Sequence, residues 1–140
     1  IKNCNQMHKS EHNSHELITY EHGKGYRVNP IAIQYLNSLP EDDDYSVLSI
    51  VGKSKTGKSF LLNNLIGDPY MFPINSCIGN TSQGIMISTK IMSVNGMKVI
   101  VLDSEGFGAL DGCDDRDCKF FMLNLLLSSV ILYNSMGTID

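Results

Sequence analysis

The chain has 140 residues, of which 42% are hydrophobic and 19% charged, the balance of a soluble globular domain large enough to bury a core. A formal net charge of −4 offers no basic stripe for nucleic acid, so none is expected as a partner. The four cysteines, Cys4, Cys77, Cys113 and Cys118, are too sparse for a disulfide scaffold and suit thiols in a reducing compartment, so the expected location is cytoplasmic.

The N-terminus is polar and carries no signal peptide. The longest apolar run, Phe120 to Tyr133, is interrupted by Asn124, Ser128 and Ser129 and is too short to span a bilayer. The sequence opens at Ile1 without a methionine and stops at Asp140 in a loop-like stretch, so a fragment is expected. Residues 1–15 read as a polar, flexible N-terminal segment and 16–140 as a partial nucleotide-binding domain. In the first segment His8, His12 and His15 would share a face on a helix, but no carboxylate or cysteine completes a metal set. Glu16 to Glu21 and Tyr26 to Val28 flank Gly23-Lys24-Gly25, a short hairpin. Asn29-Pro30 then supplies an N-cap and a first-turn proline. Ala32, Tyr35, Leu36 and Leu39 form one apolar helical face, and Pro40 ends the helix. Glu41 to Asp44 reads as a solvated loop rather than a calcium site.

An apolar strand, Val47 to Val51, runs into Gly52-Lys53-Ser54-Lys55-Thr56-Gly57-Lys58-Ser59, and Phe60 to Ile66 continues as a helix. Strand, glycine-rich turn and helix together make a phosphate-binding P-loop. Backbone N–H groups from Gly52 through Phe60 surround a polyphosphate at the positive end of the helix. Lys58 reaches the terminal phosphates, and the Ser59 hydroxyl is placed to ligand Mg²⁺. Gly67-Asp68-Pro69 ends the helix. The aperiodic stretch from there to Gly84 holds Thr81 and Ser82, hydroxyls where nucleotide switches carry a second Mg²⁺ ligand.

Ile85 to Ile91 and Lys98 to Leu102 are expected as strands joined by the Asn95-Gly96 turn. The second delivers Asp103 at its carboxyl end, the Walker B position for a Mg²⁺-holding carboxylate, and Gly106 follows where a backbone N–H meets the γ-phosphate. Cys113 and Cys118 supply at most half a zinc site. Asp114 or Asp115 caps a helix with Cys118, Phe121, Met122, Leu125 and Leu126 on one face. Phe120, Leu123 and Leu127 make that helix apolar nearly all round, implying burial on more than one side. Val130 to Tyr133 reads as a short buried strand of a parallel sheet.

Several of these motifs, in this order, resemble the first part of the GTPase domain in the guanylate-binding protein and atlastin branch of the dynamin-like large GTPases. The resemblance runs from about Glu16 to Asp140. It rests on Arg27-Val28-Asn29-Pro30, the P-loop with Leu61-Leu62-Asn63 following, Gly84-Ile85, Asp103-Ser104-Glu105-Gly106, Leu127-Ser128-Ser129, and Tyr133-Asn134-Ser135-Met136-Gly137-Thr138-Ile139. It implies binding and hydrolysis of GTP to GDP with Mg²⁺, homodimerisation through this domain, and membrane remodelling or tethering. By position it assigns the switch hydroxyl to Ser82, with Thr81 adjacent, and the wiring of the second switch to Glu105. Family members usually carry an arginine before the position of Thr56, where this chain has Lys55, so the resemblance implies that Lys55 takes that catalytic group's place at reduced efficiency. The guanine-recognising segment comes later in the family than Asp140, so the base preference follows from resemblance only.

The expected architecture is α/β: a P-loop three-layer sandwich, apparently truncated, with a mainly parallel sheet and one antiparallel strand from the Asn95-Gly96 hairpin. Two alternatives to a GTPase stand beside it. One is a nucleotide-regulated binding scaffold with little turnover, which Lys55 favours. The other is a P-loop kinase, which the long switch and Asp-x-x-Gly disfavour.

Overall fold

The computed structural model describes residues 13–74, 84–106 and 115–135. In chain order these form β1 (Ser14–Glu21), β2 (Gly25–Val28), α1 (Pro30–Ser38), β3 (Tyr45–Gly52), α2 (Lys58–Ile66), β4 (Gly84–Ser88), β5 (Met92–Val94), β6 (Met97–Ser104), α3 (Asp115–Leu127) and β7 (Val130–Asn134). The strands make one sheet in the order β2-β1-β4-β6-β3-β7, with β5 also paired to β6.

The sheet is mixed, which corrects the mainly parallel expectation. Among the described residues only β3–β6 and β3–β7 are parallel, while β1–β2, β1–β4, β4–β6 and β5–β6 are antiparallel. The N-terminal hairpin is not a separate flap: β1 docks along β4. The turn at Asn95 (φ 51°) and Gly96 (φ 82°) sends β6 straight back beside β5, the backbone twist that a two-residue hairpin needs. The Ile85 to Ile91 run is strand only to Ser88, and pairing with β6 resumes at Met92. Ser88 Oγ accepts the Val101 N–H (3.2 Å) and donates to Lys90 O (3.1 Å), so the chain bulges before β5 resumes pairing.

β6 shows why the centre of the sheet reads as unbroken apolar sequence. Ile100 and Leu102 enter a core with Leu17, Ile18, Ala32, Ile85, Ile87 and Phe120, whereas Val99 and Val101 join Ile50, Leu62, Met71 and Phe72. Alternate residues of a strand face opposite ways, so both faces are covered. Each fully buried side chain contributes about 1.5–3 kcal/mol. α1 and α3 serve the first core and α2 the second. α1 starts where the sequence places it: Asn29 Oδ1 accepts the Ile31 N–H at 3.1 Å ahead of Pro30. Ala32 is buried, with Tyr35, Leu36 and Leu39 packed beside it.

Further expectations are corrected. His15 lies in β1 opposite Ile87, its ring edge on Tyr35, so it shares no helical face; His8 and His12 fall outside the described residues. α3 buries one side only, through Phe120 and Asn124, while Met122, Leu125 and Leu126 stay exposed, because it lies against a single face of the sheet. β7 pairs with β3 alone among the described residues, so Val130 and Tyr133 are exposed rather than buried. The turn into β7 is fastened to β3: Ser129 N–H donates to Val47 O (2.8 Å), Val47 N–H donates to Ser129 Oγ (3.1 Å), and the Ser49 and Ser128 hydroxyls bond. Asp115 is already inside α3, and Asp114 lies outside the described residues.

Candidate functional site

β3 is buried at Ile50 and Val51 and hands the chain at Gly52 to the loop that starts α2. Gly52 has φ 152°, and a Cβ there would overlap the carbonyl of Asn134 on β7, so the strand end can approach only because this residue has no side chain. Within the loop Lys55 is left-handed, with φ 62°, and Gly57, with φ 79°, is the N-cap of α2. The first intrahelical bond of α2 runs from Leu61 N–H to Gly57 O (2.9 Å), so the amides of Lys58, Ser59 and Phe60 stand ahead of the ladder as donors. That is the only contribution the structure supports for Phe60, whose side chain is exposed. Lys53 and Lys55 are exposed, while Ser54 and Thr56 are partly covered.

Lys58 is buried, and its Nζ donates to Lys53 O at 2.7 Å. Desolvation holds its ammonium below the usual lysine range, and the nearby carboxylates of Asp103 and Glu105 oppose that. Asp103 arrives on β6, one residue before the strand ends. Its Oδ2 accepts from Ser59 Oγ at 2.5 Å, and its buried Oδ1 has no hydrogen-bond partner among the described residues. Burial pushes its pKa up to about 6, against the pull of Ser59 and Lys58. A buried carboxylate oxygen left unsatisfied beside a hydroxyl is a hard, oxygen-only donor set, and it fits Mg²⁺. Gly106 closes the site. A Cβ there would overlap the Ser54 backbone and stand 2.5 Å from Lys58 Nζ, so the Asp-x-x-Gly turn rests on the phosphate loop.

The structure therefore brings Lys58, Ser59, Asp103 and Gly106 into one place. Thr81 and Ser82 lie outside the described residues. Glu105 is tied in through its backbone, its N–H donating to Gly84 O at 3.0 Å. Among the described residues no group of three His, Cys, Asp or Glu converges on a metal position; Cys118 is exposed on α3, and Cys113 lies outside the described residues.

Two asparagines escape sequence reasoning. Asn63, buried on α2 one turn after Ser59, donates to Pro69 O (3.1 Å) and Phe72 O (2.9 Å) and accepts the Phe72 N–H (2.9 Å). It fastens the first residues of the long loop to the P-loop helix. Asn134 at the end of β7 donates to Thr56 O (3.0 Å) and Thr56 Oγ1 (3.3 Å). The available signal was a polar amide inside an apolar helix and another at the tip of an apolar strand.

With this geometry in hand, comparison with known sequences gives a consistent picture. A family model described as "Guanylate-binding protein, N-terminal domain" matches residues 23–140. Guanylate-binding protein 1 of Chlorocebus aethiops is 37% identical over 115 residues, 81% of this chain and 19% of the relative. Guanylate-binding protein 7 of Homo sapiens is 37% identical over 123 residues, 86% of this chain and 19% of the relative. The chain thus spans about a fifth of the length of these relatives.

Proposed function

Because the chain belongs to the guanylate-binding protein family, we propose that it binds GTP on the loop Gly52–Ser59 and hydrolyses it to GDP and phosphate. The observation that carries this reading is the convergence of Ser59, Lys58, Asp103 and Gly106. An isolated glycine-rich turn would have no reason to be met by a buried Walker-type carboxylate and an Asp-x-x-Gly glycine.

In this reading the fold is a P-loop three-layer sandwich. Backbone amides of the loop and the start of α2 hold the phosphate chain, and Lys58 places its ammonium at the terminal phosphates. Ser59 and Asp103 would hold Mg²⁺, with Ser82 or Thr81 as the switch ligand. Bound there, the ion would supply positive charge against the phosphate chain. The Gly106 N–H faces the γ-phosphate. Water attacks the γ-phosphorus as the bond to the β-phosphate oxygen breaks, its proton leaves with the released phosphate, and the negative charge left on GDP is stabilised by Lys58 and Lys55. Catalysis rests on position and charge, so no dedicated general base is required.

Lys55 also favours the second reading, a nucleotide-held scaffold with little turnover. An ammonium is a point charge and lacks the planar two-pronged fork of arginine. Dimerisation through this domain and a cytoplasmic location, peripheral at or anchored to an intracellular membrane, belong to both readings. Phosphate release with Mg²⁺ and either GTP or ATP decides between them. Turnover of GTP, abolished in Lys58→Ala, supports the enzyme; tight GTP binding with no phosphate release supports the scaffold, and preference for ATP overturns the guanine assignment.

A further inference from the structure

We propose that Asn134 is a positioning residue for the phosphate loop, setting the 56–57 peptide and, through a relay of hydrogen bonds, the place of the Lys58 ammonium. This rests on the phosphate-binding reading of the loop.

The geometry comes from the sheet. β7 runs parallel to β3, with Asn134 opposite Gly52. Because Gly52 has no side chain, the backbone of Asn134 comes close enough for its amide to reach over the loop. Its Nδ2 meets two oxygens of Thr56, the carbonyl at 3.0 Å and Oγ1 at 3.3 Å. In a planar trans peptide the carbonyl and the following N–H point opposite ways. Holding Thr56 O towards β7 therefore turns the Gly57 N–H to the other side of the loop. The second contact fixes the Thr56 hydroxyl as a donor, and it gives its proton to Lys53 O at 2.9 Å. Lys53 O is also the acceptor for Lys58 Nζ, at 2.7 Å. The order of dependence is Asn134, Thr56, Lys53 carbonyl, Lys58. It stabilises a loop that otherwise carries the strain of a left-handed Lys55.

The chemistry also selects asparagine over its isostere. Both atoms that meet Nδ2 are acceptors towards it, so an aspartate oxygen in that place would face two oxygens. A role in filling space predicts the reverse, with the same-shaped aspartate milder than alanine.

The test measures affinity for GTP and for Mg²⁺-tripolyphosphate, which lacks the base, in wild type, Asn134→Ala and Asn134→Asp, beside thermal unfolding without nucleotide. Asn134→Ala is expected to weaken both ligands by the same factor, about tenfold. Asn134→Asp is expected to weaken both further, and both variants remain folded. Unchanged affinity, a milder effect for aspartate than for alanine, or variants that unfold would each overturn the proposal. Tripolyphosphate also separates the positioning role from the guanine assignment. A wild type that binds tripolyphosphate but not GTP overturns the guanine assignment, while loss of tripolyphosphate in Asn134→Ala still supports the positioning role. A wild type that binds neither overturns both.

Discussion

Lys55 sits exposed on the phosphate loop in a left-handed conformation, with φ 62°, so its charge projects from a backbone that lysine adopts at a cost of about 1–2 kcal/mol. Retaining a strained, exposed cation beside the proposed phosphate site makes sense if it contributes to turnover. Lys55→Ala is expected to lower kcat at least tenfold with a small change in KM, and Lys55→Arg to raise kcat, read by steady-state phosphate release; an alanine variant at the wild-type rate removes Lys55 from catalysis. Asp103 gives the opposite lesson, a group kept at the expense of stability. Its folded pKa, near 6, lies above the ordinary 3.8. Between those values the folded state holds the extra proton, so in metal-free protein its contribution to stability grows on acidification through that window. The contribution is lost as pH rises through about 6. The difference corresponds to at most about 3 kcal/mol. Urea unfolding with chelator should show Asp103→Asn more stable than wild type at pH 7 and the gap closing by pH 4, while Mg²⁺-dependent turnover falls at least a hundredfold. The loop residues Gly52 to Ser59 and the strand-end Asp103 were legible in sequence because their spacing is local. Asn134 and Thr56 are separated by 78 residues, and only the sheet register joins them.

At the scale of elements, starts and turns were readable and pairing was not. Asn29-Pro30 and Asn95-Gly96 act through neighbouring backbone, and both appear where expected. The antiparallel docking of β1 on β4 depends on no residue pattern in either strand, since a half-buried strand reads alike in both orientations. The failure at α3 has the same source. Composition counts apolar residues, but only contact decides which of them are covered. Asn63 shows how much one contact can matter. It is nearly fully buried and makes three hydrogen bonds to the segment 69–72, so Asn63→Ala leaves buried backbone groups unpaired. A loss of about 2–4 kcal/mol is expected in urea unfolding. The adjacent Asn64, exposed and with its side chain donating to Phe60 O, should cost less than about 0.5 kcal/mol when changed to alanine. Equal effects would mean that the clamp on the loop is not what Asn63 supplies.

Across the whole molecule, exposed apolar residues occur on all three helices and on both edge strands, and those of α3 and β7 are among them. Leu126 is 81% exposed, and Met122 and Leu125 also lie open on α3. Val130 and Tyr133 are exposed on β7, which pairs only with β3 among the described residues. An edge strand with unpaired backbone groups and apolar side chains is a template for another strand, and the apolar face of α3 adds area that water disfavours. Neither proline nor lysine occurs in β7 to blunt that edge. Produced as these 140 residues, the polypeptide is therefore expected to self-associate. Light scattering should report species larger than a monomer, with mass rising with concentration. Val130→Lys puts a charge on the edge, and Leu126→Glu puts one on the helix face, without touching Lys58, Ser59 or Asp103. If the two surfaces act together, the double variant should be closest to a monomer and should still bind Mg²⁺-tripolyphosphate like the parent. A parent chain that is already a monodisperse monomer with cooperative unfolding would show that the edge is inert. The exposed residues would then be ordinary surface.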